Sequence, residues 1–389
     1  MEKRTEFLPY SRPYIDDDEI DVVVDVLRSG WWTRGAVTTE FEKRIAEYVG
    51  AKYALALSSC TAASHLALYC HGIGAGDEVI TTPMTFCSTA NTIVEVGATP
   101  VFADINCRTG LIDPEQIEAK ITPRTKAIVP VHYAGQSCDM DAIEDIARRH
   151  GLVIIEDAAH ALSTTYKGKR VGSSGNATCF SFYATKNIST AEGGMLTSDD
   201  ADFIERARIM SLHGMSKNAW SRYGKGGTWK YEVVASGYKY NTTDIASSLG
   251  LAQMNKLDEM QQIRGQYYKM YCDLLRDVDG VSLLEPVSYG QSSYHLCVLC
   301  LDTDKLSIDR DRFIELLTNE YNIGISVHFI PLPMHPFYIE RFGENIDNYP
   351  QCKRMYESII SLPLYPSMKP EDVEYVAAAV REISTKYAK

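Results

Sequence analysis

Leu152-Val153-Ile154-Ile155-Glu156-Asp157-Ala158-Ala159-His160 is four apolar residues in a row, three of them β-branched, followed by two acids. An unbroken apolar run of this length reads as a strand covered on both faces, and it delivers its acids at the C-terminal end. Residues 140–150 just before it carry helical spacing. Further upstream the same alternation recurs, with strands expected at 53–57, 78–82, 99–104 and 127–131 and helices at 61–71 and 87–96. Strand and helix in turn predict an α/β fold with a mainly parallel sheet and helices on both faces. Ligands of such sheets bind beyond the carboxyl ends of the strands, which puts Ser58, Pro83, His132 and Asp157 at or near a site.

After about residue 242 the pattern changes. A long helix is expected over 245–275, strands at 294–301 and 323–329, and helices at 311–320 and 370–387. The expectation is a large domain over 1–250, with an N-terminal arm, and a smaller C-terminal α+β domain over 251–389. A length of 389 residues suits two such units. Gly72-Ile73-Gly74-Ala75-Gly76 looks like a dinucleotide fingerprint but precedes a strand instead of following one, so it reads as a helix-ending loop.

Composition narrows the function. With 45% hydrophobic and 23% charged residues the chain is of ordinary globular type. No apolar run spans a bilayer and the first residues lack a signal-peptide core, so a cytoplasmic protein without membrane contact is expected. A formal charge of −12 argues against nucleic-acid partners. The ten cysteines are scattered; Cys297 and Cys300 would lie on opposite faces of a strand, so no metal is expected there.

The chemistry centres on Ser181-Phe182-Tyr183-Ala184-Thr185-Lys186-Asn187, ahead of Gly193-Gly194. Lys186 has no charged neighbour until Glu192, which is unusual for a surface lysine. A lysine in a small-residue loop, with a carboxylate delivered by a buried strand, suits pyridoxal phosphate held as a Schiff base. The cofactor needs an amine for its aldehyde and an anion for its pyridinium nitrogen, and desolvation helps the lysine lose its proton. Asp157 is the expected anion. His160 is placed to meet the ring oxygen or to orient Asp157. Ser58-Ser59-Cys60-Thr61-Ala62-Ala63 opens a helix, where free N–H groups can bind a phosphate, or where a serine merely caps the helix. Phe86, at another strand-to-helix junction, can stack on the ring or pack in the core. The Ser181 hydroxyl, five residues before Lys186, is expected to reach the phosphate, or else Ser181 is a strand serine without a role.

These residues, with Ser29-Gly30-Trp31-Trp32-Thr33-Arg34-Gly35, Glu40-Phe41-Glu42, Gly76-Asp77-Glu78-Val79-Ile80, Gly237-Tyr238-Lys239-Tyr240-Asn241 and Val327-His328-Phe329-Ile330-Pro331-Leu332, occur in the order seen in the DegT/StrS-type sugar-nucleotide aminotransferases, which the chain closely resembles over nearly its whole length. The resemblance implies the fold of aspartate aminotransferase and pyridoxal phosphate as cofactor. It implies that Lys186 holds the cofactor covalently and shuttles the proton, that Asp157 meets the ring nitrogen, that Phe86 stacks on the ring, and that Thr61 and Ser181 hold the phosphate. It further implies a homodimer with shared active sites, Asn241 reaching the partner's phosphate. Cys60 stands where many relatives have Gly, and His160 where many have Gln. Some relatives are dehydratases with His in place of the lysine; Lys186 points to transamination.

The implied reaction moves an amino group from glutamate to the ketone of a nucleotide-linked keto-sugar, with C4 of a UDP-sugar the finer match. Alternatives are amination at C3 of a dTDP- or GDP-sugar, and a pyridoxal-binding regulator without turnover. Residues 217–239 hold Lys217, Arg222, Lys225, Lys230 and Lys239 against one acid, Glu232, with interleaved aromatics. They read either as a lid clamping the diphosphate through Arg222 or as a solvated loop. Trp32, Lys239 and His328 are further candidates for the substrate pocket.

Overall fold

A computed structural model describes residues 3–216 and 230–389. In chain order its elements begin with α1 (Asp17–Ser29), α2 (Ala36–Val49), β1 (Tyr53–Leu57), α3 (Cys60–Cys70), β2 (Glu78–Thr81), α4 (Cys87–Glu95) and β3 (Thr99–Phe102). There follow α5 (Pro114–Lys120), β4 (Thr125–Val129), α6 (Met140–His150), β5 (Val153–Asp157), a small hairpin of β6 (Thr165–Tyr166) and β7 (Lys169–Arg170), β8 (Ala177–Ser181), β9 (Gly194–Ser198) and α7 (Ala201–Met210). The remainder is α8 (Asp244–Leu275), β10 (Val281–Leu283), β11 (Cys297–Leu301), α9 (Arg310–Tyr321), α10 (Pro336–Phe342), α11 (Pro350–Tyr356), β12 (Ile359–Leu362) and α12 (Pro370–Lys386).

Seven strands form one sheet in the order β1-β9-β8-β5-β4-β2-β3. Every neighbouring pair is parallel except the two made by β9, which is antiparallel to β1 and β8. The α/β expectation with a mainly parallel sheet therefore holds. Successive side chains along a strand go to opposite faces. On β1, Leu55 and Leu57 join a core with α3 and α7, whereas Ala54 and Ala56 join one with α2 and α8. Phe41 of α2 fills the second face so tightly that a Cβ on Gly250 of α8 would lie 2.4 Å from its ring. Glu42 is buried beside it and accepts from Arg34, Arg208 and the Ala56 N–H, tying α2, β1 and α7 together.

The second sheet, β10-β11-β12, is antiparallel and packs with α8, α9 and α12. The segment expected as a strand over 323–329 is not one. It makes only isolated bridges, Leu8 to Ile323 and Ser326 to Ser361, because its two ends meet different neighbours in opposite senses and no single partner carries a ladder along it. Leu8 sits in the core of this second unit, so the start of the chain is anchored against its C-terminal part. Cys297 and Cys300 lie on β11, and among the described residues no group of His, Cys, Asp and Glu is arranged to hold a metal. No helix among the described residues is long and apolar enough to cross a membrane.

Candidate active site

The carboxyl ends of β1, β8 and β5 and the amino end of antiparallel β9 meet at one edge of the sheet, since Gly194 pairs with both Leu57 and Ser181. Beyond that edge is a cavity of about 480 Å³ whose lining includes Cys60, Thr61, Phe86, Asp157, His160, Ser181, Lys186 and His328. Eight residues named from the sequence thus meet in one place, although they span positions 60 to 328.

The floor is the start of α3. Ser59 is its N-cap and accepts from the Ala62 N–H, which leaves the N–H groups of Cys60 and Thr61, two residues that line the cavity, as first-turn donors. β9 passes hard against this turn. A Cβ on Gly194 would stand 2.4 Å from Cys60 N and 2.3 Å from Ser59 C, so only glycine fits. Overpacking against backbone typically costs about 1–3 kcal/mol. Gly194→Ala should therefore displace the turn, weaken pyridoxal phosphate binding about tenfold and lower the melting temperature. Fluorescence titration and thermal denaturation check this; a variant that matches the parent in both would show the turn to be adaptable.

Lys186 projects from the loop after β8. The loop is fixed by Lys186 N–H to Tyr183 O, Phe182 N–H to Gly193 O and Thr190 N–H to Phe182 O, each at 2.9 Å. Among the described residues its Nζ has no hydrogen-bond partner, and it is the one Lys or Arg lining the cavity. Burial lowers its pKa to about 8, against smaller opposing effects of Cys60 and Asp157. A substantial neutral fraction near physiological pH suits a nucleophilic amine. The Cys60 thiol is pushed far up by burial and then by Asp157, so it stays protonated and inert.

Asp157 ends β5, and its neighbour Glu156 points to the other face, where His132 and two polar side chains hold it. His132, fully buried there, is not a cavity residue. One oxygen of Asp157 accepts the Ala159 N–H at 3.1 Å and the other the Thr89 hydroxyl at 2.8 Å. The orienting role expected of His160 thus belongs to Thr89. His160 lies between His295, tilted at 4.3 Å, and Phe329, stacked at 5.8 Å, and among the described residues its buried Nδ1 has no partner. Burial, Lys186 and His328 together drive its pKa well below the ordinary value, so the ring is neutral. His328 is anchored through Nδ1 to Ser361 Oγ at 2.9 Å, and burial takes its pKa down to about 4.

Phe86 is 58% exposed at the cavity wall, which separates it from an ordinary core aromatic. Three other candidates lie outside the cavity lining. Trp32 bonds Leu27 O and faces solvent; Asn241 accepts from Lys239 Nζ and donates to Thr242 O. Asn241 nonetheless pairs in the backbone with Leu57, close to the α3 turn. Arg222 and the core of the expected lid, 217–229, lie outside the described residues. Sequence reasoning missed Thr89 and Phe329. The four-residue spacing of Thr85 and Thr89 at a helix start was a signal for the former. Phe329 stood only within the block 327–332 that resembles the family, and its packing on His160 depends on contacts distant in sequence.

A family model described as the DegT/DnrJ/EryC1/StrS aminotransferase family matches residues 13–381. The chain is 52% identical over 385 residues to the spore coat polysaccharide biosynthesis protein SpsC of Bacillus subtilis strain 168, covering 98% of each chain. It is 44% identical to a UDP-4-amino-4-deoxy-L-arabinose–oxoglutarate aminotransferase of Shewanella sediminis, covering 97% of this chain and 98% of that one. Among solved structures, the putative sugar aminotransferase Spr1654 of Streptococcus pneumoniae in its PLP form superposes with a TM-score of 0.91 at 35% identity, covering 98% and 99% of the two chains.

Proposed function

This chain belongs to the DegT/DnrJ/EryC1/StrS aminotransferase family, and from that premise we propose that it transfers the amino group of glutamate to the C4 ketone of a UDP-linked sugar, using pyridoxal phosphate bound in the cavity. The observation that carries the reading is the placing of Lys186 and Asp157 in one cavity, over a helix start that only Gly194 can approach. The 44% likeness to an arabinose-type UDP-sugar aminotransferase supports C4 and UDP.

The residues fit the cofactor. The α3 turn offers first-turn N–H groups to a phosphate, with Thr61 and Ser181 lining the same cavity; among the described residues His160 Nδ1 is a buried polar atom without a hydrogen-bond partner; Asp157 is an anion at the strand end. When bound, pyridoxal phosphate supplies an aldehyde for an amine and a protonated ring that accepts electron density from the substrate carbon. Lys186 holds the cofactor and, once released, its Nζ takes and returns the proton at the reacting carbon. Asp157 keeps the ring nitrogen protonated, Phe86 covers a ring face, and the neutral His160 contacts the ring oxygen.

Glutamate and a sugar diphosphate bring more negative charge than Lys186 alone can match, and it is the one Lys or Arg lining the cavity among the described residues. The remaining cations come, in this proposal, from Arg222 and from a second subunit in a homodimer, with Asn241 reaching across. His328 contacts the sugar. The chain works in the cytoplasm as a large domain over 1–250 and a small one over 251–389.

The test is to add glutamate to the cofactor-loaded protein and measure 2-oxoglutarate release together with the visible absorbance. A panel of 4-keto and 3-keto sugars linked to UDP, dTDP or GDP is then added. Release of 2-oxoglutarate and recovery of the band by a UDP-4-keto sugar is expected. Recovery by a dTDP- or GDP-linked 3-keto sugar alone would move the substrate, and no 2-oxoglutarate at all would leave a binding protein.

A further inference from the structure

We propose that Thr89, itself held by Thr85, is a positioning residue that fixes Asp157 as an anion and thereby keeps the proton on the ring nitrogen of the bound cofactor. The inference rests on the reading that Asp157 meets that nitrogen.

Thr89 Oγ1 lies 2.8 Å from Asp157 Oδ2 and 2.8 Å from Thr85 Oγ1. An ionised carboxylate only accepts hydrogen bonds, and a threonine hydroxyl has one proton. Thr89 must therefore donate to Asp157. Its own oxygen is then left as the acceptor for Thr85. The direction of the whole chain follows: Thr85 donates to Thr89, and Thr89 to Asp157. Both threonines are 2% exposed and Asp157 is 7% exposed, so water is poorly placed to substitute for a lost hydroxyl. Chains of this kind polarise each other, and hydrogen bonds to an anion are stronger than neutral ones.

The remaining donor to the carboxylate is the Ala159 N–H, from the turn that follows Asp157 itself. Among the described residues no Lys or Arg side chain bonds to it. Among the described residues Thr89 is thus the one side-chain donor to Asp157, and it comes from a different element. The chain also straddles Phe86, the N-cap of α4, since Thr85 precedes it by one residue and Thr89 follows it by three. One helix start therefore sets both the carboxylate and the aromatic wall over the ring.

A carboxylate and a pyridine nitrogen in contact share one proton. Each donor to the carboxylate lowers its proton affinity and leaves that proton on the nitrogen. Losing the Thr89 hydroxyl shifts it toward Asp157. The substrate carbon then faces a weaker electron acceptor, although no contact with the substrate has changed.

The experiment uses the cofactor-loaded protein with pyridoxal phosphate labelled with nitrogen-15 in the ring, whose resonance reports protonation directly. Thr89→Val keeps the shape and removes the hydroxyl. Its resonance is expected to move toward the unprotonated position, with kcat down by about tenfold or more, as befits loss of a hydrogen bond to a charged group. KM should change little. Thr89→Ser should restore the resonance and the rate. Thr85→Val should shift the resonance the same way by less, and it serves if Thr89→Val does not fold. A resonance at the parent position in the valine variants would overturn the proposal. Asp157→Asn separates the two readings: if it too leaves the resonance unmoved, the contact between Asp157 and the nitrogen is wrong; if it moves the resonance and the threonine variants do not, only the role of the threonines falls.

Discussion

Replacing Lys186 with alanine is expected to lower transamination by about a hundred- to ten-thousand-fold, the range of a positioned proton-transfer group, and to remove any cofactor that borohydride can fix to the protein. The two losses have one origin, an amine that is both the attachment point and the proton carrier. The fold should survive. Lys186 makes no side-chain hydrogen bond among the described residues, and its pKa of about 8 means that burial works against its charge. The sign follows from linkage: between about 8 and the ordinary 10.5 the unfolded chain binds more protons, so the stability of the cofactor-free protein rises with pH across that window. Below it both states are protonated and the full burial penalty stands. At neutral pH the cofactor-free alanine variant should thus melt no lower than the parent. Capture of pyridoxal phosphate by the parent should quicken as pH rises through about 8 and then level off. Mass spectrometry after reduction, stopped-flow absorbance and thermal denaturation read these out. A reduced adduct on another peptide, or a variant with near-parental turnover, would end the assignment.

The parts legible in the sequence are those set by local pattern. Leu152 to Glu156 could only be a covered strand, and that alone placed Asp157 at a sheet edge; β1 and α3 did the same for Thr61. Lys186 stood out because no other charge precedes Glu192 in its loop. The structure adds what depends on distant pairing. Thr89 reaches Asp157 across 68 positions, and no periodicity in α4 shows which strand end its hydroxyl will face. His160 was visible as a polar residue near the acid, yet its orientation is decided by His295 and Phe329 from the second unit. The strand expected over 323–329 failed for a related reason: apolar alternation makes a strand possible, and one continuous partner makes it real, whereas here Ile323 and Ser326 bridge different neighbours. The antiparallel entry of β9 could not be read either, although Gly193-Gly194 marked a place where backbones come close.

Asp157→Asn is the second large effect, with kcat expected to fall about 10²–10³-fold, as when a preorganised electrostatic partner is removed. The substitution is nearly isosteric, and the surrounding hydrogen bonds can adapt to it. Asparagine can still accept the Ala159 N–H through its carbonyl, while its amide donates to Thr89, which in turn donates to Thr85. The threonine chain reverses, and the one group that loses a partner is the Thr85 hydroxyl proton at the end of the chain, on the cavity wall, so the melting temperature should fall only modestly. What is lost is the charge. A neutral amide does not hold a proton on the ring nitrogen, so the electron acceptor weakens while sugar and glutamate contacts remain, and the loss should appear in kcat more than in KM. A fall in KM-linked binding with kcat intact would place Asp157 in substrate recognition instead. The double variant Asp157→Asn with Thr89→Val adds a second constraint. A residue that acts only through the carboxylate has nothing further to remove once the carboxylate is gone, so the double variant should turn over about as fast as Asp157→Asn alone. Independent multiplication of the two losses would mean that Thr89 touches the reaction by another route.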